Sequence, residues 1–160
     1  MTPDVDAFLD REGDAWLPYQ ALIELDDLAL ERPWPADGPT HGWSGRDLLG
    51  HLLFWQGHAL DVARELADGD TSPTRERWSI LWDERGDALN DDLVVEWRRR
   101  PLDELRRLAG AQPRDLRDAL VALPASRWLE RPDVLTFFLD ETTDHYGAHR
   151  PELAALIGAP

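Results

Sequence analysis

His145 and His149 stand four residues apart in the stretch DHYGAHRP. On a helix that spacing puts two side chains on one face, about 6 Å apart along the axis, so both imidazoles can turn towards a common point. Two neutral ring nitrogens aimed at one spot are the start of a metal site, because imidazole suits zinc, nickel and similar divalent ions. The pair also falls in a periodic pattern: Val134, Phe138, Glu141, His145, Ala148, His149, Glu152 and Leu156 recur mostly at steps of three and four. A histidine on a face turned into a protein needs partners for its ring nitrogens, either hydrogen bonds or an ion.

A third imidazole comes from the stretch GWSGRDLLGHLLFW. There His51 follows Leu48 by three and precedes Trp55 by four, at the border of the stripe Leu48, Leu52, Trp55, Ala59, Val62 and Leu66. One ring from this helix and two from another would supply three neutral donors and leave a coordination position open for water or substrate, as catalytic zinc sites do. The chain has no Cys, which removes thiolate ligands, thiolate nucleophiles and disulfides together. On pattern alone, three core-edge histidines held by hydrogen bonds is an equal alternative.

Other residues have narrower roles. His58 is seven after His51, about 10 Å further along the same face, too far to share an ion and placed to line a cavity or pack. His41 lies in a Pro/Gly-rich loop and is expected at the surface. Glu141, four before His145, could accept a hydrogen bond from a ligating ring, serve as a fourth ligand or act as general base; a polar residue at a bundle edge would look the same. Asp47 has the same relation to His51, but a helix-capping role accounts for it. Asp144 and Tyr146 flank the first histidine of the pair, and Tyr146 is a candidate for donating a hydrogen bond into a pocket. Trp55 and Trp82 could wall such a pocket.

The elements that must position these residues read as helices throughout. Thr2-Pro3-Asp4 is a helix start, and apolar Phe8, Leu9, Trp16, Leu17, Leu22, Ile23, Leu25, Leu28 and Leu30 follow at helical intervals, with Pro18 expected to kink or divide them. The segment ERPWPADGPTHG is a loop. Ser44 and Asp47 form a box-like cap for the clearest helix, which Ala67-Asp68-Gly69 ends. A long connection carries a helix from about Ser79 to Trp97, and Arg98-Arg99-Arg100 sit at its C-terminus. After Pro101 comes a helix expected to be interrupted at Pro113 and closed by Pro124. The last runs from Asp133 to Gly158 with a bend at Pro151. Nothing alternates with period two long enough to be a strand. The expectation is a single all-α domain over 1–160: a four-helix bundle with an extra helix between its second and third main helices.

Composition narrows the partners. Thirty-two acidic residues against 17 basic ones, all Arg, give a net charge of -15, which repels phosphate backbones and argues against nucleic-acid binding. The acidic N-terminal stretch MTPDVDAFLD is unlike a signal peptide, and no apolar run suggests a membrane span, so a cytoplasmic protein is expected.

Three stretches together resemble a known family. GWSGRDLLGHLLFW is similar to the second helix of the DinB/YfiT-like metalloenzymes, and DHYGAHRPEL to their last helix with its His-x3-His pair. DALNDDLVVEWRRRPLDELRRL resembles the colibactin-resistance and mycothiol-dependent maleylpyruvate isomerase-like branch. The likeness extends over about 43 to 156. It implies a four-helix bundle with a divalent metal, commonly zinc or nickel, on His51, His145 and His149. It further implies transfer of a low-molecular-weight thiol cosubstrate to an electrophilic small molecule, or hydrolysis of a reactive ring, with Glu141 handling the proton. Related bundles often form homodimers. A non-catalytic metal- or metabolite-binding stress protein would carry the same ligands.

Overall fold

A computed structural model describes residues 4–158. Thr2 and Pro3 of the expected helix start lie outside the described residues; Asp4 does cap, its side chain accepting from the Asp6 N–H at 3.0 Å. Helix α1 spans Val5–Trp16, and Pro18 divides the chain as expected: a 3-10 turn at Leu17–Tyr19 leads into α2 (Gln20–Ile23) and α3 (Asp27–Glu31). Leu17 and Leu28, counted among the apolar positions, face outward at 57% and 87% exposure. The Pro-rich segment that follows is irregular.

Helix α4 (Gly45–Asp68) is the central column. Its start is fixed by a reciprocal capping box: the Ser44 hydroxyl accepts from the Asp47 N–H, and the Asp47 carboxylate accepts from the Ser44 N–H. Asp47 also receives a two-pronged bond from Arg98, both contacts 2.8 Å. All six residues of the expected stripe are buried.

The connection differs from expectation. It holds two helices, α5 (Pro73–Arg85) and α6 (Asp87–Trp97), rather than one. Ser72 caps α5 and Pro73 occupies its first turn, while Gly86, with φ of 51°, breaks the path between the two. The Arg98–Arg100 run follows the end of α6 as expected.

Helix α7 (Leu102–Ala122) passes unbroken through Pro113, contrary to the expected interruption. Packing outweighs the missing hydrogen bond here. Leu105, Ala109, Gln112, Leu116 and Leu120 are all buried, and the α4–α7 pairing is the most extensive in the molecule. Gln112, next to the proline, is tied to α4 through the Leu53 carbonyl and the Gln56 side chain. Gly57 leaves the room for that approach, since a Cβ there would lie 3.2 Å from the Gln112 side chain.

The last column is broken twice, into α8 (Pro132–Glu141), α9 (Thr143–Ala148) and α10 (Arg150–Gly158). The first break, at Thr142, accompanies a side-chain bond from its hydroxyl to the Phe138 carbonyl. The second falls at His149, not at Pro151. A proline ring crowds the carbonyl four residues earlier, and the chain yields just upstream so that Pro151 sits in the first turn of α10.

Four columns, α1, α4, α7 and α8–α10, therefore form the expected all-α bundle, with α5 and α6 in the second connection. Among the described residues there is no strand. One apolar cluster centres on Phe8, Val62, Leu120, Trp128 and Phe138; another on Trp16, Tyr19, Leu52, Leu105 and Leu153. Burying each such side chain contributes about 1.5–3 kcal/mol. Trp55, Leu89 and Leu93 make a third cluster that seats α6 on α4. No described helix is long and apolar enough to cross a membrane.

Candidate metal centre

Helix α4 presents His51 from inside the bundle, at 3% exposure, and α9 with its terminal break presents His145 and His149. Their Nε2 atoms converge: His51 to His145 is 2.8 Å and His51 to His149 is 3.1 Å. Each of the three supplies a ligand atom within 4.8 Å of the others. Nitrogens bound to one ion at about 2.0–2.1 Å stand about 3.0–3.4 Å apart, so the observed separations suit a shared cation with little adjustment.

Electrostatics keep the rings neutral and ready to ligate. Burial, reinforced by the neighbouring imidazoles, lowers the pKa of His51 to about 2. Burial and His149 lower that of His145 to about 3. Burial also lowers His149, against the opposing pull of Glu152. A neutral imidazole carries one proton for two nitrogens, and the outer Nδ1 atoms of His51 and His149 have no hydrogen-bond partner. Three lone-pair-bearing nitrogens pressed together in a largely buried site fit a divalent cation. Hydrogen bonding among the rings leaves more of their nitrogens unsatisfied.

Residues that the spacing did not single out complete the centre. The Glu152 carboxylate lies 3.6 Å from His149 Nδ1 and is only 15% exposed, too far for a hydrogen bond but close enough to act on the ring through its charge. Its place three residues after His149 was the available signal. Trp43, in the loop before α4, stacks on His149 at 5.8 Å and leans on His51 at 4.8 Å, covering one side. No local pattern announces that contact.

The residues weighed earlier separate clearly. Beside His145 opens a cavity of about 520 Å³, whose lining includes Trp55, His58, Trp82 and Glu141. Trp55 and Trp82 thus wall a pocket as expected. Glu141 is not in the three-histidine cluster; its Oε1 lies 3.7 Å from His58 Nδ1. Burial raises the Glu141 pKa. His41 is exposed, and Asp144 faces away.

Tyr146 corrects an expectation. It is not among the residues lining the cavity, and its hydroxyl turns the other way. It donates to Glu12 at 3.1 Å and accepts from Gln56 at 2.8 Å, while its backbone carbonyl accepts from the Tyr19 hydroxyl. The i+1 neighbour of a residue on one helix face points about 100° away, and here that direction is the bundle interior. Glu12, 4% exposed on α1, is pushed up by burial to a pKa of about 7.

Set against family models, curated proteins and solved structures, the chain has no match in any of the three comparisons. Its chemistry must be read from the site itself.

Proposed function

We propose that this chain is a divalent-metal-dependent enzyme of the DinB/YfiT-like kind, which transfers a small thiol to a reactive electrophilic metabolite or hydrolyses one. The observation that carries the reading is the convergence of His51, His145 and His149 through Nε2 at 2.8–3.1 Å, beside a cavity that reaches His145. Zinc and nickel are the ions that an all-imidazole donor set favours. Such an ion, when bound, supplies Lewis acidity that lowers the pKa of a coordinated thiol or water.

The chain's own residues do the rest. His149 faces Glu152 at ion-pair distance, Trp43 covers one side of the histidines, and the aromatic walls orient the carbon skeleton of a substrate. Glu141, whose carboxyl burial holds towards its neutral form, is placed in the cavity wall to accept or return a proton. The lack of Cys is consistent with a thiol that arrives as cosubstrate. A cytoplasmic location and a homodimer belong to the same proposal.

Elemental analysis of protein purified without chelator tests the first step, and a stoichiometric transition metal is expected. Incubation of the loaded protein with paired small thiols and electrophiles tests the second. Repeated turnover supports an enzyme; consumption of a single equivalent that then stops identifies a binding protein instead.

A further inference from the structure

The cavity beside the histidines has a far end that the metal centre leaves unused. His58 lies there, about 10 Å along α4 from His51. Its side chain is 4% exposed, and among the described residues neither ring nitrogen has a hydrogen-bond partner. A buried imidazole without partners is unfavourable. Nδ1 faces the Glu141 carboxylate at 3.7 Å, so the ring and the acid share this end of the cavity.

The surroundings favour positive charge. Asp140 and Glu141 both line the space, and among the described residues Asp140 forms no ion pair while Glu141 faces only His58. The cavity's Arg75 is already committed to Asp133, at 3.0 Å. Asp140 is exposed and feels the negative charge of Asp144, so a cation placed beside it would relieve that repulsion. Aromatic rings complete the wall: Trp55 stands 6.0 Å from Trp78 and 5.8 Å from Trp82, and His58 lies 5.2 Å from Phe137. Such rings attract cations through their faces. The wall already holds one, with the Arg75 guanidinium 5.6 Å from the centre of the Phe137 ring.

We infer that this end of the cavity binds a protonated amine, which donates N–H to the Asp140 and Glu141 carboxylates while its carbon skeleton lies against Trp55, Trp78 and Trp82. The substrate class that follows is an amine-bearing molecule whose opposite end reaches the three histidines. That second clause rests on the proposed metal-dependent reading; the amine site does not.

Calorimetric titration with benzylamine and with benzyl alcohol, its neutral near-isostere, tests the assignment on both metal-free and metal-loaded protein. The expected result is saturable binding of benzylamine, about tenfold or more tighter than benzyl alcohol. The double variant Asp140→Asn with Glu141→Gln should lose that preference while still binding the alcohol. If this variant does not fold by circular dichroism, Trp82→Ala, at a 42% exposed position, should weaken benzylamine binding instead. Equal affinity for the two compounds, or no saturable benzylamine binding, overturns the inference. So does a preference that survives in the double variant, which would assign it to the general field of a chain at -15. Failure to load metal with the amine preference intact counts only against the metal-dependent reading.

Discussion

The Nε2 atoms of His51 and His145 lie 2.8 Å apart although 94 residues separate them in the chain. Two neutral nitrogens at that distance, with a third 3.1 Å from His51, are a preformed ligand set on rigid elements. Replacing His51 or His145 by Ala should therefore abolish stoichiometric metal loading while the helical signal in circular dichroism persists. The loaded protein should also melt at higher temperature than the metal-free one, because an ion that binds only the folded state stabilises it by mass action.

Glu152 would act on a bound ion only through His149. Glu152→Gln keeps the shape and removes the charge that fixes the ring, and metal affinity should fall about 10–100-fold. A competition titration against a chelator measures it. Affinity unchanged from the parent chain would reduce Glu152 to a bystander.

Two groups impose opposite pH dependences on the metal-free protein. His51 and His145 have folded pKa values of about 2 and about 3 against an ordinary 6.5. Between those limits the unfolded chain binds more protons, so the stability they contribute is present above pH 6.5 and lost as pH falls. Glu12 works in reverse: its pKa rises from 4.5 to about 7, so its contribution is full below pH 4.5 and lost as pH climbs towards 7. Glu12→Gln should flatten the alkaline side of a melting-temperature profile, by on the order of 3 kcal/mol at neutral pH if the full shift is recovered. A profile of the same shape in both proteins would contradict the assignment.

Tyr146→Phe separates structure from catalysis. It removes the partner of Glu12 and Gln56, and should cost about 1–3 kcal/mol of stability. Metal content should not change. Loss of metal without loss of stability would return the hydroxyl to the site.

Pro113 occupies the interior of α7, where its ring removes one backbone bond and crowds the preceding turn. Pro113→Ala should raise the melting temperature, by an amount equivalent to about 1–3 kcal/mol, reduced by the extra freedom gained by the unfolded chain. An unchanged melting temperature would mean that the helix has fully absorbed the proline.

What the sequence revealed was local. The capping box at Ser44 and Asp47 and the stripe from Leu48 to Leu66 belong to one helix, and the four-residue spacing of His145 and His149 spans a short helix and the residue that ends it. Period and side-chain chemistry specify such features directly. What stayed hidden depended on distant packing. Pro113 reads as a breaker until α4 is placed along α7, and the first break of the last column falls at Thr142, where no proline or glycine marks it. The ring of Trp43 meets His149 across more than a hundred residues, and Glu12 finds Tyr146 from the opposite end of the chain. Gly86 could have been recognised as a divider of the connection, but only with Ser72 and Pro73 read as a second start.

The break at His149 has a mechanical consequence. One ring of the three-histidine cluster is carried by the joint between α9 and α10, so its reach is set by a change of backbone direction instead of helical register. A cation seated there would act as a clasp, fastening the C-terminal segment to the central column, and chelation should loosen that segment before any other part of the bundle.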